Sequence, residues 1–149
     1  MTAPFRRDFR ASWVDMDYNQ HMRNAAFLGY AEQMRMLFLE QGGWTMAQFK
    51  AEGIGPIVLE DTLAYKKELK LLEPFSVDLA LAAANERGSR ARIRSRFFRT
   101  SDEALCAVVE SSVIWLDLER RRPVVPPEAL RRAWLGLSKT DDFSSLDRP

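Results

Sequence analysis

Apolar and polar positions follow two periods along this chain, and the change from one to the other predicts its elements. From Phe5 to Val14 the residues alternate. Phe5, Arg7, Phe9, Ala11 and Trp13 share one side, and Arg6, Asp8, Arg10 and Ser12 the other, which predicts a strand. From Asn24 to Gln41 the spacing becomes helical. Ala26, Phe27, Tyr30, Ala31, Met34, Leu37 and Phe38 form a stripe, and Leu28, Met36 and Leu39 widen it. A helix this apolar is wrapped by other elements. Gly42-Gly43 is expected to end it with a left-handed cap. Trp44 to Glu52 predicts a short second helix, closed by Gly53 and Gly55-Pro56.

Period-two patterning resumes from Ile57 to Leu118. Strands are predicted at Ile57–Leu69, after Pro74 through Ala83, at Arg90–Phe97, and at Ala104–Leu118, with turns at 85–89 and 101–102. Pro123, Pro126 and Pro127 break the sheet, and Glu128–Trp134 predicts a short helix. The polar tail Ser138–Pro149 is expected to be loose. The pattern as a whole predicts an α+β fold, an antiparallel sheet of about five strands wrapped around one long helix. The 149 residues are expected to form one domain, with a core at about 5–118 and a short helix and tail over 119–149.

Composition narrows the function classes. The charges, 22 basic against 21 acidic, leave no basic footprint of a nucleic-acid binder. One cysteine, Cys106, excludes an internal disulfide framework, and with a single histidine there is no zinc-type cluster. No apolar run approaches the roughly 20 residues that span a bilayer. The amino terminus has no apolar stretch of the secretory type, so the cytoplasm is the expected location.

One segment stands apart. Asp15-Met16-Asp17-Tyr18-Asn19-Gln20-His21-Met22-Arg23-Asn24 places two carboxylates, the only histidine and an amide at the start of the apolar helix. Polar groups beside a buried element carry a desolvation cost, so they have partners or a chemical task. Asp15 to Phe27 resembles the Asp-x-Asp-x-x-Gly-His-x-x-Asn-x-x-Tyr signature of the 4-hydroxybenzoyl-CoA thioesterase-like family. Phe27-Leu28-Gly29-Tyr30-Ala31-Glu32-Gln33-Met34-Arg35 is similar to that family's Tyr-Leu-x-x-x-Glu-x-x-Arg. The resemblance implies a hotdog fold, hydrolysis of acyl-CoA or acyl-carrier-protein thioesters without metal or other cofactor, and a homodimer or dimer of dimers with sites at the subunit boundary. Gln20 stands where the family has glycine, and Phe27 where it has tyrosine. Gln20 is therefore expected to change the loop or fill part of the site.

Thioester hydrolysis needs an activated water or a nucleophile, a donor for the oxyanion, and a pocket for the acyl group. Asp17 matches the family's catalytic carboxylate, and a carboxylate can serve as base or attack the carbonyl. The N–H of Asn24, at a helix start, suits an oxyanion. Capping and turn formation are the competing roles for both residues. His21 can orient the water, bond the thioester or hold the loop. Asp15 is expected to pair with Arg23 or another cation. Glu32 either pairs with Arg35 three positions on or faces the pocket as a second carboxylate. Gln20, Phe27 and Glu32 are the candidate pocket residues. Arg87 and Arg90, beside the Gly88 turn, are candidates for the phosphates of coenzyme A. The row Arg90, Arg92, Arg94 and Arg96 reads as a solvated strand face, and Cys106 as packing. The rival reading is a hotdog module that binds acyl-CoA or acyl-carrier protein without hydrolysing it.

Overall fold

The computed structural model describes residues 4–147. In chain order the elements are β1 (Phe5–Arg10), a 3-10 turn (Trp13–Asp15), α1 (Asn24–Gln41), α2 (Met46–Glu52), β2 (Ile54–Tyr65), β3 (Pro74–Ala84), β4 (Arg90–Arg99), β5 (Leu105–Asp117), β6 (Arg122–Pro123), α3 (Glu128–Leu135) and β7 (Lys139–Ser145). They form one sheet in the order β1-β3-β4-β5-β2, with β6 beside β5 and β7 beside β3. All neighbours are antiparallel except β3 and β7. The helix α1 packs on the sheet, as the hotdog fold requires.

The alternation of each strand decides which face meets the helix. Phe75, Val77 and Leu79 of β3, Ala91, Ile93 and Phe97 of β4, and Val109, Val113 and Trp115 of β5 are buried. α1 answers with Ala26, Phe27, Ala31, Met34 and Leu39. Aromatic rings make the join. Phe27 meets Phe97 edge to face at 5.2 Å, and Tyr30 meets Phe75 at 5.0 Å. Such pairs add about 0.5–1.5 kcal/mol each beyond burial. At the other end of α1, Trp115 stacks on Phe49 of α2 and meets Trp134 of α3 edge to face at 5.4 Å. Thr45 caps α2 by accepting from the Gln48 N–H, and Gly53, left-handed at φ 70, turns the chain into β2.

Several expectations need correction. Five strands make the continuous path of the sheet, and two further strands, β6 and β7, are added to it. The first strand stops at Arg10, and Trp13–Asp15 coils into a 3-10 turn because Asp15 draws the chain back onto Ser12. β2 begins at Ile54 and ends at Tyr65, not at Leu69. Pro56 is tolerated because β2 is an edge strand. The strand stops where the N–H groups of Lys66 and Lys67 both turn to the Cys106 carbonyl. Of the two glycines that end α1, Gly43 is left-handed (φ 88) and Gly42 is not.

The largest correction is the tail, expected to be loose. It forms β7, parallel to β3, held by Leu81 N–H on Ser138 O and by Leu146 N–H on Ala84 O. Arg94 of β4 donates to both oxygens of Asp142 at 2.9 and 3.1 Å, and this holds the Asp142 carboxyl down at about 2. The arginine row is therefore not simply solvated. Arg96 likewise binds the fully buried Asp78, through its backbone N–H at 2.7 Å and its Nε at 2.8 Å.

Candidate active site

The candidate site begins with the turn that carries Asp17. Met16 and Met22 pair across it, the Asp17 N–H donates to His21 O, and the Gln20 N–H returns to Asp17 O. The Asp17 side chain closes the turn from inside. Its Oδ1 accepts the N–H groups of Asn19 at 2.8 Å and His21 at 3.2 Å, which leaves Oδ2 outside these two bonds. The residue is exposed. Gln20 supplies the left-handed backbone itself, at φ 62. Gln20 thereby absorbs a conformation that costs an L-residue roughly 1–2 kcal/mol. Its side chain is exposed.

Two neighbours place this turn against the rest of the protein. His21, half-buried, pairs with Lys70 on the β2–β3 connection, and the Met22 N–H donates to Leu69 O at 2.7 Å. Two residues beyond Met22 α1 begins. Its first turn carries no side-chain cap and no acidic residue. Unpartnered N–H groups at a helix start carry partial positive charge. Asn24 stands there, exposed, and its carbonyl accepts from the Tyr65 hydroxyl at 3.2 Å. Tyr65 also lies edge to face with Phe27 at 5.7 Å. The sequence reading missed Tyr65. Its signal was an aromatic at the end of an otherwise alternating strand.

Asp15 does not pair with the Arg23 side chain. It is buried, and its Oδ2 takes Ser12 N–H and Oγ–H, each at 3.1 Å, and the Tyr30 hydroxyl at 2.5 Å. Burial, with Asp15 beside it, pushes the Tyr30 hydroxyl up to about 12. The Asp15 carbonyl receives the Arg23 N–H, while Arg23 Nε reaches Val14 O. Asp15 is thus the brace that fixes the entry of the loop.

The remaining candidates separate. Phe27 is buried between Phe97 and Tyr65, so it forms the floor beneath the helix start rather than an open wall. Glu32 is exposed and makes no ion pair with Arg35 within 4.0 Å among the described residues. Arg35 is half-buried. Burial lowers its pKa, opposed by the charges of Asp61 and Glu32. Asp61, exposed on β2, accepts from the Ser111 hydroxyl of β5, a contact that the sequence reading also missed. Arg87 and Arg90 lie at the β3–β4 turn, at the opposite end of β3 from the Asp17 loop. That is about 30 Å away along the strand. There Arg90 is engaged with Leu146 O at 3.0 Å. Within one protomer they are not brought to Asp17. Cys106 is buried, and burial pushes its thiol up.

Among the described residues no group of three or more His, Cys, Asp and Glu side chains is placed to hold a metal ion. No helix among them is long and apolar enough to cross a membrane.

The geometry defines a curved sheet around one helix, with an exposed carboxylate beside that helix's uncapped start. The family model described as thioesterase-like superfamily matches residues 11–134, and the chain belongs to that superfamily. Solved structures agree in fold. A Staphylococcus aureus protein, solved in complex with CoA, superposes with a TM-score of 0.84 at 18% identity, over 99% of this chain and 90% of that one. A 1,4-dihydroxy-2-naphthoyl-CoA thioesterase from Synechocystis gives 0.80 at 13% identity, over 99% and 100%. A probable thioesterase from Escherichia coli gives 0.74 at 18% identity, over 87% and 95%.

Proposed function

We propose that this protein hydrolyses acyl-CoA thioesters, with Asp17 as the reacting carboxylate. The observation that carries the reading is the placement of an exposed carboxylate, anchored through one oxygen, next to the uncapped start of a buried helix. The anchored Oδ1 fixes the group, and Oδ2 is the atom that removes a proton from water or attacks the carbonyl carbon. In either case negative charge grows on the thioester oxygen. In this reading the N–H of Asn24 receives it, since preorganised donors act where charge develops. His21 stands beside the turn as a second polar contact for water or substrate. Membership of a thioesterase-like superfamily and a CoA-bound structural neighbour support the choice of thioester and carrier.

The coenzyme needs cations for its phosphates. Arg23, Lys66, Lys67 and Lys70 are exposed on the segments that flank the Asp17 turn and take that role in this reading. Arg87 and Arg90 can contribute only from a partner subunit. A homodimer is part of the proposal, because β2 leaves a twelve-residue edge open on one side.

The test is hydrolysis by the purified protein of a panel of aromatic and aliphatic acyl-CoA thioesters, read as free thiol. Turnover of at least one class is expected. Tight binding of non-hydrolysable analogues with no turnover of any thioester would replace this reading with a binding module. Light scattering at micromolar concentration is expected to give twice the monomer mass.

A further inference from the structure

Around the Asp17 turn, large apolar side chains stand open to solvent. Trp13 is 75%, Val14 75%, Tyr18 106% and Leu72 59% exposed, with Leu71 exposed as well. Backbone hydrogen bonds gather them from two separate segments. The Ala11 N–H donates to Glu73 O, the Leu72 N–H to Ala11 O and the Met22 N–H to Leu69 O, while His21 pairs with Lys70. Residues 69–73 therefore lie alongside both ends of the stretch from Ala11 to Met22, which carries Trp13, Val14 and Tyr18. None of the five lies on β2, the edge given to the homodimer.

Leu72 carries a second signal. Its backbone is left-handed, at φ 64, a region that favours glycine or asparagine and penalises a bulky apolar residue. The leucine gains little burial in exchange, since its side chain is mostly exposed. Strain kept without packing points to a contact outside the chain.

Cations gather on the same two segments. Arg10, Arg23, Lys66, Lys67 and Lys70 are exposed there, against the exposed carboxylates Asp17 and Glu68. Asp15 is buried. Glu73 is half-buried, accepts the Lys70 N–H and lies 3.7 Å from Arg99 Nε. The whole chain is nearly balanced, with 22 basic and 21 acidic side chains, so the excess belongs to this end of the molecule. A second apolar opening, a cleft of about 680 Å³ at the C-terminal end of α1, shows the contrast. Its lining holds Lys50 against Glu40 and Glu119, with no basic excess.

We propose that this ridge docks the protein on an anionic lipid surface. Trp13, Tyr18 and Leu72 enter the headgroup layer, and the cations pair with lipid phosphates. Aromatic rings with a polar edge, set among basic side chains, match the layer where a bilayer meets water. Most of these cations also serve the coenzyme in the reading above, but a phosphate site alone has no need of open Trp, Tyr and Leu side chains. The protein lies on the bilayer rather than spanning it. Docking sets the Asp17 turn at the surface, where an amphiphilic thioester concentrates. It needs no turnover, so it stands or falls separately from the hydrolase reading.

Tryptophan fluorescence reads the docking directly. Trp44, Trp115 and Trp134 are buried, so Trp13 is the reporter of this surface. Its emission should shift to the blue on vesicles of mixed phosphatidylcholine and phosphatidylglycerol, and Trp13→Phe should lose the shift. A cation near an anionic surface is worth about fivefold in affinity. Binding by co-sedimentation should therefore be at least roughly tenfold tighter than to phosphatidylcholine alone, and should weaken with added salt. Leu72→Asn separates docking from architecture. Asparagine suits the left-handed backbone, so thermal stability should hold or rise, while vesicle affinity falls at least roughly fivefold. Trp13→Ser should weaken binding by at least as much.

No shift on the anionic vesicles, a shift that persists in Trp13→Phe, or equal binding to both lipid mixtures would overturn the proposal. So would binding left unchanged by both Leu72→Asn and Trp13→Ser, which is adsorption by charge alone. Acrylamide quenching of the protein without lipid adds a control, with Trp13 expected to be open to the quencher. A shielded Trp13 means that a second copy covers the ridge, and the lipid reading falls. A shift with soluble polyglutamate and none with vesicles assigns the ridge to an acidic protein and overturns it too.

Discussion

Asp15 and Asp17 sit two residues apart and have opposite surroundings. Asp15 closes the Ser12–Asp15 turn from a buried position, with one oxygen saturated by Ser12 and Tyr30. Asp17 closes the next turn from an exposed position, anchored only by the N–H groups of Asn19 and His21. Both carboxylates shape backbone through one oxygen, yet Asp15 is buried and Asp17 is exposed. The difference shows why residue type is not enough to assign a catalytic role. The same group is a brace where it is buried among protein donors, and is proposed as the reagent where it is left exposed.

Asp17→Asn separates the two roles most sharply. The amide oxygen still accepts from Asn19 and His21, so the fold should survive with a loss of at most about 1 kcal/mol. Turnover should fall about 100- to 10,000-fold, the usual contribution of a base. A folded variant with normal kcat would remove the distinction between the carboxylates and turn attention to His21 and Glu32.

Asp15→Ala should do the reverse. It strands the Tyr30 hydroxyl and the Ser12 donors, and unsatisfied buried groups cost about 1–3 kcal/mol each. Urea denaturation should show a loss of at least roughly 2 kcal/mol. Activity of the fraction still folded should change less than in Asp17→Asn.

Tyr30→Phe tests the brace from its other side. The loss of one hydrogen bond should cost about 1 kcal/mol at neutral pH. The tyrosine hydroxyl is raised from 10.0 to about 12 in the fold. Between those values the unfolded chain releases the proton and the folded chain keeps it. Its contribution is therefore complete below pH 10 and disappears as pH rises through about 12. The stability gap between wild type and Tyr30→Phe should narrow across that window in alkaline melts.

The smallest effect is expected at Gln20. Gln20→Gly relieves a left-handed backbone but loosens the unfolded chain, for a net gain of about 0.5–1 kcal/mol. Because the turn already has the shape a glycine would give it, kcat should stay within about twofold, a change below 0.5 kcal/mol in the barrier. A large change in kcat would mean that the Gln20 side chain contacts substrate.

Much of this was legible in the sequence for a local reason. Helix α1 announces itself because every third or fourth residue from Ala26 to Phe38 is apolar. The strands announce themselves through alternation over Phe75–Ala83 and Arg90–Phe97. The tight grouping of Asp15, Asp17, His21 and Asn24 marks the candidate site whatever the fold around it. Each of these signals is carried by neighbours within a few residues, which is the range over which period and spacing have meaning.

What the tertiary structure alone decided depends on partners distant in the chain. The polar segment Lys139–Ser145 has no strand pattern, and it becomes β7 because Arg94 and the open flank of β3 hold it. Asp15 is a brace because Tyr30, 15 residues away, reaches it. Arg87 and Arg90 fall away from the site because β3 runs its full length between them and the Asp17 turn. The apolar stripe of α1 states that something covers it. It does not state that one end meets a carboxylate-bearing turn while the other opens into a cleft. Periodicity records the burial of a residue, but the identity of its neighbours is set by chain closure over tens of residues, and no local pattern encodes that.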